Sequence, residues 1–186
     1  EGGGGSVAGP SKEKKGYGGD PVFARSRFKS VAQTLKEVPV VSAALGPVAG
    51  LPASRFVGSH FRIMVRDNAQ ILVAGPAVVS RAFGKDFTKE ELGGSDVHKK
   101  NGVTDNIADS EEDAFNQIKK FLSFFPANIY ELPPKKESKD DINRSEKLLE
   151  EIIPKDRKKT YEMREIIKMV VDDKNFFEMS NFFGRG

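Results

Sequence analysis

The stretch that decides the fold is residues 40–58, which read VVSAALGPVAGLPASRFVG. Val40 to Leu45 is a short apolar run rich in Val and Ala, which is typical of a strand buried on both faces. Gly46-Pro47 ends that strand, and the small residues of Val48 to Gly58 predict a tight turn into a helix. Pro52 suits the first turn of this helix because proline lacks the amide proton that a first turn leaves unpaired. The stretch is therefore a strand, a turn and a helix.

The flanking sequence alternates helices with strands in the same way. Apolar residues at helical spacing predict a helix from the Asp20-Pro21 cap to Val38, before Pro39. The remaining predictions are strands at Phe61–Val65 and Gln70–Ala74, a helix opening at Gly75-Pro76, a capping box at Thr88–Glu91, a turn at Gly93-Gly94, a turn at Asn101-Gly102 into Val103–Ala108, and a helix from the Ser110 cap to Phe125, before Pro126. This alternation predicts an α/β domain built from βαβ units.

Composition excludes several classes of protein and site. The 186 residues carry no cysteine, which excludes disulfides, thiolate zinc sites and a cysteine nucleophile. No apolar run approaches the eighteen residues that a membrane span needs. The net charge of +3 is a mild excess, which we interpret as solvated surface charge that also suits a polyanionic ligand, and not as a nucleic-acid face. His60 and His98 lack the spaced partners of a metal site, and we expect His60 to be structural.

Two segments differ in composition from the α/β body. Glu1 to Gly19 is rich in glycine, and Gly2 to Ser6 alone could equally be a flexible linker. Pro133-Pro134 opens a charged segment that resembles a connector. We expect residues 1–130 to form one domain, residues 131–160 a connector, and residues 161–186 the start of a second domain. The chain begins with Glu1, which we interpret as a truncation.

Several short motifs, taken in order, resemble the acyl-CoA carboxyltransferase family of propionyl-, acetyl- and methylcrotonyl-CoA carboxylases. Gly46 to Gly50 resembles the family's "G-P-C-A-G" turn, and Ala74 to Val79 resembles its "T-G-P-x-V-V". Further resemblances are Glu90 to His98 with "E-E-L-G-G-A-x-x-H", Asn101 to Asp105 with "S-G-V-x-D/H", Ile153-Pro154 and Tyr161 to Arg164 with "V-P … Y-D-M-R", and Val171 to Glu178 with "V-D-x-x-x-F-F-E". Each motif alone is weak, and the ordered set covers residues 38 to 186.

The resemblance implies a fold and a domain organisation. It implies an α/β, crotonase-like (ClpP/crotonase) βαβ superhelix that is partial in this chain, with the start of a second such domain. By this resemblance residues 1–130 are the C-terminal part of the N-terminal, acyl-CoA-binding domain. The stretch Phe176–Met179 is then the first strand of the C-terminal carboxyltransferase domain, and Phe176, Phe177, Phe182 and Phe183 are expected to be exposed. The family has a glycine-rich element upstream, which favours a native role for Gly2 to Gly5.

The implied activity is transfer of a carboxyl group from N-carboxybiotin to the α carbon of an acyl-CoA. The enolate formed on the way places negative charge on the thioester oxygen, and backbone amides at a helix start can hold that charge. The resemblance assigns this oxyanion site to the amides of Gly50 and Leu51. The expected substrate-binding residues are Gly4, Gly5, Ala49, Gly75 and Pro76.

The chain departs from the family pattern at Leu51, where most members have a second glycine. A side chain there narrows or blocks the acyl pocket, which favours an alternative: a catalytically silent, crotonase-like structural subunit of a larger assembly. A crotonase-type hydratase or thioesterase is a weaker alternative, because such enzymes do not need the connector.

The implied partners are a biotin carboxylase, a biotin carrier and further copies of the subunit, expected as a hexamer (a trimer of dimers). The implied cofactor is biotin carried by the partner, with acyl-CoA as substrate and no metal in this chain. The resemblance places the protein in the cytoplasm, or in the mitochondrial matrix of a eukaryote.

Overall fold

The structure is a computed structural model that describes residues 27 to 184. The chain divides into two compact units. The first comprises the described residues up to Pro133 together with those from Met179 onward, and the second is Pro134–Glu178. Within the described residues, no helix has the length and apolar character needed to cross a membrane.

The first unit alternates helices and strands, as the sequence predicts. In chain order its elements are α1 (Arg27–Glu37), β1 (Val41–Ala44), β2 (Pro47–Ala49), α2 (Leu51–Val57), β3 (Phe61–Val65), β4 (Gln70–Leu72), α3 (Pro76–Phe83), α4 (Lys89–Gly93), α5 (Ser95–Asn101), β5 (Asn106–Ala108) and α6 (Glu111–Leu122). The predicted strand at Phe61–Val65 has its predicted bounds, and those predicted at Val40–Leu45 and Gln70–Ala74 are each two residues shorter than predicted.

The strands form two parallel sheets. The larger has the order β1-β3-β5, and the smaller pairs β2 with β4. Parallel strands covered on both faces are near-continuous apolar runs, and β4 and β5 are buried along their whole length. One cluster of the buried core of this unit consists of Ala44, Val48, Ala53, Phe56, Met64, Ala69, Ile71 and Ile107.

The helix α6 begins and packs as its sequence predicts. The Ser110 side chain accepts a hydrogen bond from the Asp113 amide at 3.1 Å, which satisfies one of the unpaired amides of the first turn. At the other end of α6, the Phe121 ring stacks on Phe61 of β3 with ring centroids 4.8 Å apart. The apolar stripe of α6 is thereby fixed against the larger sheet.

Two elements of the first unit were not predicted. The sequence predicted a turn from Val48, but Pro47–Ala49 is strand β2, because its backbone pairs with β4 in a register that joins Val48 to Ile71. The turn predicted at Gly93-Gly94 is followed at once by helix α5, for which Gly94 is the N-cap. Both elements depend on contacts with β4, about twenty residues away in sequence.

The predicted strand at Phe176–Met179 is wrong, since the structure has no regular element there. A strand needs a neighbouring strand for its amides and carbonyls, and none among the described residues pairs with this segment. The expected exposure of the four phenylalanines is also wrong for three of them: Phe183 is 56% exposed, whereas Phe176, Phe177 and Phe182 are half-buried.

The second unit has little regular structure. It contains α7 (Met163–Val170) and two 3-10 helices, Lys147–Glu150 and Asp172–Lys174. The Arg144 guanidinium donates to the Met169 carbonyl at 2.7 Å, at the C-terminal end of α7 where carbonyls lack helical partners. Arg164 forms a two-pronged ion pair with Glu178, with N–O distances of 2.6 and 2.7 Å, and this hydrogen-bonded carboxylate raises the Arg164 pKa.

Candidate functional site

The carboxyl ends of β2 and β4 lie side by side, and each leads through a glycine into a helix. Ala49 pairs with Leu72 at the last position of the register. One residue further on, the Gly50 amide donates to the Leu72 carbonyl at 3.3 Å. Beyond these ends α2 follows Gly50, and α3 follows Gly75. The two strand-to-helix turns that the sequence singled out separately therefore lie at one end of the β2–β4 pair.

Gly50 has a backbone conformation that requires glycine. Its φ is 69° and its ψ is −132°, in a region that residues with a Cβ atom rarely enter. The Gly50 carbonyl accepts the first hydrogen bond of α2, from the Ser54 amide at 3.1 Å. Glycine at this position thus allows the chain to turn sharply from β2 into α2.

Leu51 is the first residue of α2, and its amide has no acceptor among residues 27–184. The first amides of a helix lack helical partners, and Pro52 contributes no amide to this turn. The Leu51 side chain is 42% exposed. The turn therefore presents an unpaired backbone donor on a leucine whose side chain is partly exposed.

The Gly75 turn has an ordinary extended backbone, with φ −70° and ψ 164°. Its carbonyl accepts hydrogen bonds from the Val78 and Val79 amides at 3.1 and 3.3 Å, and Pro76 occupies the first turn of α3. No residue of α3 is buried, and Val73, just before this turn, is 97% exposed. This end of the strand pair thus has apolar side chains open to solvent.

Five of the predicted site residues share this end of the strand pair: Ala49, Gly50, Leu51, Gly75 and Pro76. The predicted Gly4 and Gly5 lie outside the described residues. The assignment of the oxyanion amides and substrate contacts stays a prediction. The structure does distinguish the two amides, since that of Gly50 has an acceptor in Leu72.

Sequence reasoning missed a pair of contacts on the other side of β4. His98 is buried, and its Nε2 lies 2.8 Å from the Ile71 carbonyl oxygen. Gly93 packs against the same carbonyl so closely that a Cβ atom on it would lie 2.1 Å from the oxygen. The Gly93-Gly94 pair is the available signal in the sequence, but such a pair predicts a turn and does not by itself indicate a close approach to a strand.

The other histidine has the structural role that the sequence predicts. His60 Nδ1 accepts a hydrogen bond from the Val40 amide at 2.9 Å, at the start of the larger sheet. No group of three histidine or acidic side chains within residues 27–184 could hold a metal ion.

The first unit also contains two cavities away from the predicted site. One, of about 390 Å³, is apolar and is lined by residues that include Val38, His60, Phe121, Phe125 and Ile129. The other, of about 470 Å³, lies between α1 and residues Ser42, Arg55 and Ser59. The lining of neither cavity includes Gly50, Leu51 or Gly75.

Comparison with known families gives a match over most of the chain. Residues 17–186 match the model of the carboxyl transferase domain. The propionyl-CoA carboxylase carboxyltransferase subunit of Haloferax mediterranei is 36% identical over 159 residues, which are 85% of this chain and 31% of that protein. The methylmalonyl-CoA decarboxylase subunit alpha of Veillonella parvula is 31% identical over 147 residues, 78% of this chain and 29% of that protein.

A solved structure agrees with these relatives. The transcarboxylase 12S structure, described as a hexamer assembly with hydrolysed methylmalonyl-coenzyme A bound, matches with a TM-score of 0.79 and 29% identity. The match covers 84% of this chain and 31% of that one. The predicted α/β, crotonase-like fold is thereby confirmed, and the chain spans about a third of the length of the relatives it matches.

Proposed function

Because this chain belongs to the carboxyl transferase domain family, we propose that it supplies the acyl-CoA-binding part of a biotin-dependent carboxyltransferase. The activity is transfer of a carboxyl group from N-carboxybiotin to the α carbon of an acyl-CoA. The observation that carries the proposal is the Leu51 amide, a donor without an acceptor in residues 27–184 at the shared end of β2 and β4.

The chemistry needs a donor for the thioester oxygen of the substrate. Loss of the α proton converts the thioester to an enolate, and its negative charge lies largely on that oxygen. A backbone amide held rigidly at a helix start can stabilise this charge, and loss of one such donor typically costs a factor of about 10² to 10³ in rate. In this proposal the Leu51 amide is the principal donor, and the Gly50 amide, 3.3 Å from the Leu72 carbonyl, is a weaker one.

The proposed substrate class rests on the names of the relatives and on the exposed apolar side chains at the carboxyl ends of β2 and β4. The relatives are named for propionyl-CoA and methylmalonyl-CoA, which supports a short acyl-CoA as substrate. The Gly75-Pro76 turn and Ala49 are proposed to contact that substrate, and Gly4 and Gly5 are proposed to approach it from the glycine-rich segment. The residues present fit a thioester, because an unpaired amide lies beside apolar side chains, of which Leu51 is 42% exposed and Val73 is 97% exposed.

The proposed partners are those of a biotin-dependent carboxylase. Biotin, carried by a partner and loaded by a biotin carboxylase, supplies the carboxyl group. Further copies of the subunit, as a hexamer, are proposed to cover the exposed Leu51, Val73 and α3, since such charge stabilisation is strongest where water is excluded. The proposed location is the cytoplasm, or the mitochondrial matrix if the source is eukaryotic, as for the mitochondrial human relative.

The test is a titration of the ¹⁵N-labelled chain with propionyl-CoA, followed by the backbone amide signals. We expect the amides of Leu51 and Gly75 to shift the most and in a saturable way, because they lie at the shared end of β2 and β4. Coenzyme A without the acyl group is the matched control, and it should leave Leu51 unshifted because it has no thioester oxygen. Binding whose largest shifts lie elsewhere in the first unit would contradict the assignment to this turn.

A second candidate is a catalytically silent structural subunit, which two observations at the same turn favour. The Gly50 amide already has the Leu72 carbonyl as acceptor. The Leu51 side chain, which is 42% exposed, stands where the resemblance to the family leads us to expect a second glycine. A Leu51→Gly variant separates the two candidates. If Leu51 blocks the pocket, this variant gains propionyl-CoA binding that the natural chain lacks. If the natural chain binds already, the silent subunit is excluded.

A further inference from the structure

We propose that His98 is a positioning residue for the acyl-CoA site, which acts by holding strand β4. The inference rests on the proposed function for the ligand of the site, but the positioning itself depends only on contacts within the first unit. His98 lies on α5, and it reaches the proposed site through two successive residues of β4, Ile71 and Leu72.

The first step is the hydrogen-bond state of the His98 ring. A carbonyl oxygen can only accept, so the Nε2 atom, 2.8 Å from the Ile71 oxygen, must carry the proton and donate it. The Nδ1 atom then accepts from the Asn101 side-chain amide nitrogen at 3.3 Å. The orientation of that amide is set by its oxygen, which accepts from the Val103 backbone amide at 3.1 Å. These contacts therefore assign Nε2 as the donor to β4 and Nδ1 as the acceptor from Asn101.

The second step is the position of β4 in its sheet. Its only strand neighbour among the described residues is β2, so the opposite edge of β4 needs other partners. On the β2 side, the Leu72 carbonyl accepts the Gly50 amide at 3.3 Å. On the opposite side, the Ile71 carbonyl accepts from His98, and Gly93 packs directly on it. The last two carbonyls of β4 thus accept hydrogen bonds on opposite edges of the strand, that of Leu72 from Gly50 and that of Ile71 from His98.

The third step connects these contacts of β4 to the proposed site. The Gly50 turn has a φ of 69°, which is one of several conformations open to glycine, so contacts of the turn must select it. The hydrogen bond from the Gly50 amide to the carbonyl of Leu72, the residue that follows Ile71 in β4, is one such contact. Movement of β4 toward the space of a missing His98 ring would lengthen this bond and change the direction of the Gly50 and Leu51 amides.

The experiment measures hydrogen exchange of the Gly50 amide in the ¹⁵N-labelled 186-residue chain without ligand. We expect His98→Ala to speed exchange at Gly50 about tenfold, the scale of one lost hydrogen bond. Exchange of the Ala114 amide, bonded to the Ser110 carbonyl in α6, should stay unchanged. His98→Gln, whose side-chain amide can donate to the Ile71 carbonyl, should restore slow exchange at Gly50. His60→Ala is the control, and it should leave exchange at Gly50 unchanged because His60 bonds Val40 and not β4.

The outcomes separate this inference from the proposed function. Unchanged Gly50 exchange in His98→Ala, or exchange that rises equally at Gly50 and Ala114, overturns the positioning role. If His98→Ala does not fold, the ring ¹⁵N shifts of His98 in the natural chain test the positioning role instead, and a proton on Nδ1 and not on Nε2 would overturn it.

A titration with propionyl-CoA tests the ligand independently. His98→Ala should bind propionyl-CoA about tenfold more weakly than the natural chain, and His98→Gln nearly as well as the natural chain. If the natural chain does not bind propionyl-CoA, the proposed function is contradicted, whereas the exchange result still tests the positioning role of His98.

Discussion

At the scale of single residues, glycine is needed at two positions around β4 for different physical reasons. Gly50 has a positive φ, so a Cβ atom there is disfavoured by the backbone conformation itself. At Gly93 there is instead no space for a side chain, because its Cα packs on the Ile71 carbonyl. The sequence predicted the importance of Gly50 from the turn that contains it. It could not predict that of Gly93, since the strand that excludes a side chain is about twenty residues away.

Replacement of Gly93 by alanine is expected to destabilise the first unit by about 1–3 kcal/mol, the usual cost of overpacking a core. The reason is that the new Cβ atom would lie 2.1 Å from the Ile71 oxygen, so β4 or α4 must move. The measurement is the free energy of unfolding from urea denaturation.

Gly58→Ala is the matched control for this substitution. The φ of Gly58 is −80°, and the nearest heavy atom to a Cβ there is 3.5 Å away, so alanine should change stability little. Equal stability of the Gly93→Ala variant and the natural chain would contradict the close packing of Gly93 on β4.

At the scale of elements, the capping residues at helix starts predict the structure most reliably. The capping box at α4 forms as predicted: the Glu91 amide donates to Thr88 Oγ1 at 3.1 Å, and the Thr88 amide donates to the Glu91 carboxylate at 2.8 Å. The N-cap of α6 is likewise confirmed. These signals succeed because donor and acceptor are three residues apart and need no distant partner. Strand β2 was missed because its hydrogen bonds all lie with β4.

The capping box makes a prediction about pH. Hydrogen bonds from the Thr88 amide and then from its hydroxyl hold the pKa of Glu91 below its usual value of 4.5. Because the pKa is lowered in the folded state, the stabilisation of α4 is fully present above pH 4.5 and is lost as the pH falls through the folded pKa. An NMR titration of the Glu91 carboxyl carbon should show this lowered midpoint.

Variants at Thr88 test the cause of the shift. Thr88→Ala removes the hydroxyl, so the Glu91 midpoint should move up toward 4.5 while the backbone hydrogen bond keeps part of the shift. Thr88→Ser retains the hydroxyl and should keep the lowered midpoint. A midpoint that does not respond to Thr88→Ala would show that the side-chain hydrogen bond contributes nothing.

At the scale of the whole molecule, the last described residues belong to the first unit and help to close its core. The Ser180 hydroxyl donates to Asp105 at 2.8 Å, and the Ser180 amide donates to the Asn106 side chain at 3.2 Å. Asp105 is buried and also pairs with Arg62 of β3 at 2.8 Å. Phe182 packs against the core of this unit beside Val103. Residues 179–184 are therefore part of the fold of the first unit.

Removal of residues 179–186 is expected to destabilise the first unit by about 2 kcal/mol, from the apolar area of Phe182 alone. Thermal unfolding followed by circular dichroism measures this effect. Phe182→Ala should reproduce most of the loss, whereas Phe183→Ala should lose much less, because Phe183 is 56% exposed. Equal effects of the two single substitutions would contradict the packing of Phe182 on the core.

The sequence by itself determined the α/β class, the family, most helix starts and the strands other than β2, because each of these depends on short-range periodicity, caps, turns or motifs. It also identified the two glycine turns that we propose as the acyl-CoA site. Only the tertiary structure showed that both turns lie at one end of the β2–β4 pair, that the Gly50 amide already bonds Leu72, and that His98 and Gly93 hold β4 from its other edge. These features depend on backbone groups of residues far apart in the chain. Every residue except proline has the same backbone donor and acceptor, so side-chain identity alone does not predict which of them meet.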